Sequence, residues 1–211
     1  MGKQFAQIEE AHRAFISRQH IFFTATAAER TRVNISPRSA EAFRVLDANT
    51  VAYLDLTGSG SETTAHLRAD GRMTIMFCSF DQAPLILRLY GKGRILHRSS
   101  ADYARVLATE FDGFEPVGAR QIVTLNIDLV QSSCGFGVPL FEYQDERPTL
   151  ERWAEAKGAA GLEVYQRENN RFSIDGLPTG LFTEEVNLPA ILAGSRNRCR
   201  CRNRFGDDTN S

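Results

Sequence analysis

Arg32-Val-Asn-Ile-Ser-Pro-Arg38 and, further on, Leu56-Thr-Gly-Ser-Gly-Ser-Glu-Thr-Thr64 are the stretches that decide how this chain is read. The first alternates like a strand and ends on a cation. The second closes a strand, turns on Gly58 and Gly60, and opens a short helix. The two glycines let backbone come close to a ligand. The helix opening at residues 61–63 offers unpaired N–H groups and the positive end of its dipole. Ser59, Ser61, Thr63 and Thr64 add hydroxyls, and Arg38 supplies a countercharge across the sheet. Together these make the anchor a phosphorylated cofactor needs. Taken alone, the turn also reads as a plain serine-capped link between strand and helix. It follows neither the Walker nor the dinucleotide pattern, because no lysine follows Gly60 and the three-glycine spacing is absent.

Working outward, Phe5, Ile8, His12, Phe15 and Ile16 recur at helical spacing, so residues 5–19 read as an amphipathic helix. Residues 21–26, 31–36, 43–47 and 50–56 read as short strands, with Asp47-Ala-Asn49 as a tight hairpin turn. A helix is expected over 62–70, started by a Ser59-x-x-Glu62 capping box or by Ser61. Residues 72–80 and 85–97 read as strands, the second bent or bulged at Gly91 and Gly93. Residues 100–111 read as helix. In 120–132, Ile122, Thr124, Asn126 and Asp128 share one strand face, and Val123, Leu125, Ile127 and Leu129 the other. A last helix over 150–169 is interrupted near Gly158–Gly161. Many short strands with few helices and no regular alternation favour a mainly β, closed or nearly closed barrel over a doubly wound sheet.

The chain has 211 residues, 42% apolar and 24% charged, with net charge −1. That is the composition of a globular domain without a global field for nucleic acid or an anionic membrane. No apolar run reaches bilayer length, and no signal-peptide pattern opens the chain, so a cytoplasmic protein is expected. Cys78 reads as a small core hydrophobe. Cys199 and Cys201 are too close to bridge each other, and with Cys134 they are read as reduced thiols. From residue 188 the composition shifts, with Arg196, Arg198, Arg200, Arg202 and Arg204 before any acid; residues 188–211 are expected to be a disordered tail.

Other chemistry is thin. His12, His20 and His97 stand far apart without nearby ligands, so no metal site is expected. His66 reads as a packing or hydrogen-bonding group. Asp55, Glu62 and Asp128 read as caps or strand-edge polar groups, and no serine sits in a nucleophile elbow.

Four blocks carry a family resemblance: 32–38, Tyr53 to Leu67, Gly71 to Phe80 and Ile86 to Gly93. In order and spacing they resemble the pyridoxamine 5'-phosphate oxidase-like, FMN-binding split-barrel proteins. The Ser133-Cys-Gly-Phe-Gly-Val-Pro139 element is similar to that of an uncharacterised branch. The resemblance covers roughly residues 1–187. It implies a six-stranded Greek-key split barrel with flanking helices. It also implies a homodimer holding FMN between subunits, with an unidentified small-molecule substrate and no nucleic acid or membrane partner.

By position, the resemblance places Arg32, Val33, Asn34, Ser36 and Arg38 on the strand that meets the flavin ring edge and phosphate. Thr57 would contact the flavin, and Ser61, Glu62 and Thr63 fall on the family's phosphate-binding Ser-Arg-Lys run. Arg38, Ser36, Thr57, Ser61 and Thr63 would serve the phosphate end. Arg32 to Asn34, Arg88 and Trp153 would lie near the flavin. Glu62 and Thr63 replace two cations of that run. Trp153, Tyr165 to Asn169 and Ile174 to Pro178 look like the C-terminal region of the true oxidases. Where those enzymes carry an Arg-x-His and a further arginine, this chain has Gly158-Ala-Ala-Gly-Leu162. Oxidation of pyridoxamine phosphate itself is therefore not expected. The expectation is an FMN-dependent oxidoreductase with no nameable catalytic acid or base. The alternatives are a flavin- or deazaflavin-binding dimer for storage or sensing, and a barrel without cofactor.

Overall fold

The computed structural model describes residues 2–182. The expected boundary near residue 187, the arginine-rich tail, Cys199 and Cys201 lie outside the described residues. In chain order the elements are β1 (Lys3–Phe5), α1 (Glu10–Ile16), β2 (Ile21–Thr26), β3 (Asn34–Ser39), β4 (Phe43–Val45), β5 (Thr50–Leu56), α2 (Glu62–Ala69), β6 (Arg72–Cys78), β7 (Ile86–His97), α3 (Ala101–Glu110), β8 (Ala119–Ser133) and α4 (Thr149–Asn169).

One antiparallel sheet runs β3-β2-β6-β7-β8-β5-β4, and β1 pairs with the far end of β8. Six strands are long and two have three residues. β3 and β4 follow each other through a single turn at Ala40–Ala42 but share no ladder, which is where the barrel is split. The fold is the expected mainly β split barrel with helices at its edges.

Alternation explains the layers. From β5, Val51 and Tyr53 point into the barrel with Phe22, Phe43, Phe77, Leu87, Val123 and Leu125. Ala52 and Leu54, on the other face, pack with Ile122 under Tyr103 and Val106 of α3. Both faces are covered, so β5 reads as an almost unbroken apolar run. Each fully buried large side chain here contributes roughly 1.5–3 kcal/mol.

The bend expected in β7 is a bulge. Tyr90 stands opposite Leu129 and Gly91 opposite Ile127, leaving Asp128 as the extra residue. A Cβ on Gly91 would stand 1.9 Å from the carbonyl oxygen of Asn126. The bulge also shifts the face assignment of β8. Val130, not Leu129, joins Val123, Leu125 and Ile127 in the core. The interruption of α4 is at Gly158, with φ 62° and ψ 172°.

The N-terminal helix is shorter than expected. Phe5 ends β1, paired to Val130, and only Glu10–Ile16 is helical. Edge pairing on β8 wins over helical periodicity there. The strand expected over 31–36 begins at Asn34 and reaches Ser39, in register with all of β2. Cys78 is buried, as expected, and Cys134 is exposed.

Candidate functional site

Asp55 is the centre of the site. It shares strand parity with Val51 and Tyr53, so its side chain enters the barrel and is almost fully buried. Opposite it, the β5–β8 register slips: Asp55 faces Gln121 and Leu56 faces Ala119, so Arg120 is the extra residue. A bulge turns two successive side chains toward one point. Arg120 gives Asp55 Oδ2 two bonds, from Nε at 3.0 Å and Nη2 at 2.8 Å, and Gln121 Nε2 adds a third at 2.8 Å. Arg38 reaches Asp55 Oδ1 from β3 at 2.8 Å, its guanidinium lying 4.7 Å from the Tyr53 ring centroid. Asp55 was read from the sequence as a strand-edge polar group. The structure corrects that: it is the counterion of the buried Arg120 and the half-buried Arg38.

Burial alone would push the Asp55 carboxyl up. Arg120, then Arg38, with hydrogen bonds from Arg120 and Gln121, outweigh it and hold the group below the usual aspartate range. Burial likewise works against the charge on Arg38, but Tyr53 and Asp55 keep it firmly protonated. Burial pushes the Tyr53 phenol up to about 12, the nearby Arg38 offsetting part of the shift.

The same cluster grips the glycine turn from beneath. Arg120 Nη1 donates to Gly60 O at 3.1 Å and to Asn170 Oδ1 at 2.7 Å. Asn170 Nδ2 donates to Gly58 O at 3.1 Å. Thr57 Oγ1 donates to Gly118 O at 3.0 Å and accepts from Gln166 Nε2 at 2.7 Å. Gln121 Nε2 also donates to Thr64 Oγ1 at 2.6 Å, which Ser61 Oγ bonds at 2.8 Å. Ser61 is the N-cap of α2 but makes no side-chain cap bond. Nor does the Ser59–Glu62 capping box form, because the helix begins at Glu62 itself, whose carboxylate instead accepts from Ile174 N at 3.0 and 3.1 Å.

Above this floor lies a cleft of about 560 Å³. Arg32, Val33 and Asn34 line one wall, Ser59, Gly60 and Glu62 the second, and Asn169 with Phe172, Ser173 and Ile174 the third. The third wall is a small hairpin. Ser173 N donates to Leu177 O at 2.8 Å, and Phe172 bridges to Pro178. Asp175 at its tip accepts from Arg32 N at 2.8 Å and is ion-paired to the Arg32 guanidinium.

The residues singled out from the sequence divide into three groups. Arg32, Val33, Asn34 and Glu62 line the cleft. Ser36, Arg38, Thr57, Ser61 and Thr63 stand behind it. Ser36 Oγ bonds Asn34 Oδ1 at 3.3 Å, and Asn34 Nδ2 bonds Thr63 Oγ1 at 3.2 Å. Arg88 and Trp153 do not line the cleft. Arg88 bonds Ser133 Oγ at 3.1 Å, and the Trp153 ring packs edge-on against Tyr165 at 5.0 Å. His66 is buried against Thr26, Nδ1 to Oγ1 3.1 Å, as a packing and hydrogen-bonding residue. Among the described residues no His, Cys, Asp and Glu cluster suited to a metal ion is found, and no helix is long and apolar enough to cross a membrane.

Sequence reasoning missed Arg120, Gln121, Asn170 and the 172–178 hairpin. One signal was available for the first two: a charged residue on the inward parity of β5 demands buried partners.

The family profile of pyridoxamine 5'-phosphate oxidase matches residues 8–134. A relative from Aspergillus flavus, the pyridoxamine 5'-phosphate oxidase family protein ustO, is 39% identical over 190 residues, covering 82% of this chain and 76% of the relative. The chain belongs to the pyridoxamine 5'-phosphate oxidase family. A variant of HupZ from Group A Streptococcus matches in fold with a TM-score of 0.50 at 18% identity, over 60% of this chain and 99% of that one. Within the pyridoxamine 5'-phosphate oxidase family match lie β3, the glycine turn and the Asp55 cluster. The third wall of the cleft lies beyond residue 134, outside it.

Proposed function

We propose that this protein is a cytoplasmic, homodimeric flavoprotein that holds FMN in the cleft and passes hydride or electrons to a small substrate. The observation that carries the reading is the cleft itself, set between the start of β3, the glycine turn and the hairpin, with Arg38 and the buried Arg120 paired to Asp55 behind it. Its volume falls within the usual range for ligand pockets, about 300–1,000 Å³.

The residues present fit a flavin nucleotide. Arg38 Nε is buried with no hydrogen-bond partner, a donor left for an anion. Nothing lies within 4 Å of where a Gly58 Cβ would stand, so the turn leaves room above it. Val33, which lines the cleft, is 68% exposed, apolar surface suited to lie against a flat ring. A bound flavin supplies hydride or single-electron transfer. Arg38, Ser36, Thr57, Ser61 and Thr63, behind the cleft wall, support the phosphate end in this reading. Arg32, Val33, Asn34 and Glu62 border the rest of the cleft and orient the ligand. Arg88 and Trp153, which do not line the cleft of their own subunit, reach the ligand only across a dimer interface.

FMN titration of wild-type protein and Arg38→Ala, followed by flavin fluorescence, tests this. Loss of a charge-assisted contact is expected to weaken binding roughly ten- to a hundredfold. Circular dichroism on the same samples separates this from unfolding. A folded Arg38→Ala variant that binds FMN like wild type contradicts the assignment.

A second reading, flavin or deazaflavin binding without turnover, is favoured by one observation. Residues 158–162 place no cation where a phosphorylated substrate would need one. Fast re-oxidation of the reduced flavin supports the enzyme; an inert, tightly held flavin supports storage or sensing.

A further inference from the structure

The hairpin at residues 172–178 has a fixed base and a releasable tip. At the base, Asn170 and Thr179 are fully buried. Asn170 bonds Arg120 and Gly58 O, and Thr179 Oγ1 donates to Asn170 O at 2.7 Å. At the tip, the described hydrogen bonds to the rest of the cleft run through two carboxylates. Asp175 accepts from the backbone N–H and guanidinium of Arg32, and Glu62 accepts from Ile174 N. The apolar side chains there do little to hold it, since Ile174 and Phe172 are exposed.

Arg32 lines the cleft, its side chain 73% exposed, and its backbone N–H and guanidinium both go to Asp175, which is 11% exposed. They are the donors an acceptor-rich ligand would use at this wall. Asp175 already fills them with a carboxylate, as a built-in stand-in for ligand oxygen. A phosphorylated ligand entering the cleft also brings negative charge toward Glu62 and Asp175. Like charges repel, so such a ligand competes with Asp175 for Arg32 rather than binding beside it. The ligand's oxygens then replace the Asp175 oxygens on Arg32 one for one.

We infer that the 172–178 hairpin is a strap whose Asp175 occupies the Arg32 donors of the cleft until an anionic, oxygen-rich ligand takes its place. The inference rests on the flavin reading for the identity of the ligand, but not for the existence of the strap. The strap makes ligand affinity depend on the Asp175 charge and makes hairpin mobility depend on the ligand.

Two measurements on the full chain test it: amide hydrogen exchange across residues 171–179, and FMN titration. In ligand-free Asp175→Asn, hairpin exchange is expected to rise tenfold or more over wild type. FMN is expected to bind the variant about tenfold tighter, since a charged competitor has gone. In wild type, saturation with FMN is expected to speed hairpin exchange. The exchanged pair, Arg32→Asp with Asp175→Arg, keeps the ion pair but loses the acceptor for the residue 32 N–H, so its exchange is expected to fall between wild type and Asp175→Asn, without FMN affinity. Unchanged exchange in ligand-free Asp175→Asn overturns the strap, whatever FMN does. FMN affinity within twofold of wild type in that variant overturns the competition. If neither protein binds FMN while the ligand-free exchange rises, the flavin reading fails and the strap stands.

Discussion

Asp55→Ala is expected to destabilise the fold by about 3–5 kcal/mol, the cost of breaking a buried ion pair by removing one partner. The substitution leaves the buried Arg120 and the half-buried Arg38 without a counterion, and it strips Gln121 of an acceptor. Chemical denaturation at neutral pH measures this directly. Asp55→Asn keeps the shape and loses the charge, so it isolates the electrostatic part. The sign of the pH dependence follows from the depressed carboxyl. A group with a lowered folded pKa contributes stability above its unfolded value and loses it as pH falls through the folded one. The gap between wild type and Asp55→Asn should therefore be constant above the ordinary aspartate value of 3.8 and close below it. A gap that widens on acidification would show that the carboxylate is not held by the two arginines.

Gly91→Ala is the second large effect. The new Cβ would stand 1.9 Å from Asn126 O, 2.9 Å from Asn126 C and 3.0 Å from Ile127 Cα. All three are backbone atoms of the central strand β8, which cannot swing aside as a side-chain tip can. Relief requires loss of the β7–β8 bulge, and with it the register that places Asp128 outward and Val130 inward. We expect a loss of about 3 kcal/mol, the upper end of overpacking costs. Gly137→Ala serves as control, because nothing lies within 4 Å of that Cβ. Its thermal midpoint should match wild type. Equal midpoints for both variants would mean that the bulge is not tightly packed.

What the sequence disclosed and what it withheld follow from the range of the interactions. The alternation of β6, and of β8 as far as Ile127, the bulge at Gly91 and the break at Gly158 are local, and each was legible. So was the glycine turn, whose carbonyls lie at the floor of the cleft. The Asp55 cluster was not, because it depends on which residues of β5 and β8 meet, 65 positions apart for Asp55 and Arg120. A one-residue slip in that pairing creates the bidentate contact, and no composition reveals a slip. The hairpin wall was hidden for the same reason: Arg32 and Asp175 are 143 positions apart. Phe5 misled in the other direction. Its helical spacing was real, but β8 offered an open edge and took residues 3–5 as a strand.

The measurement that bears most directly on the account is the absorption spectrum of purified, untagged protein, followed by mass spectrometry of whatever denaturation releases. A flavin spectrum, a released mass equal to FMN and a dimer in solution are expected. A colourless monomer whose spectrum and flavin fluorescence stay additive with FMN added to high micromolar concentration would contradict the flavin reading.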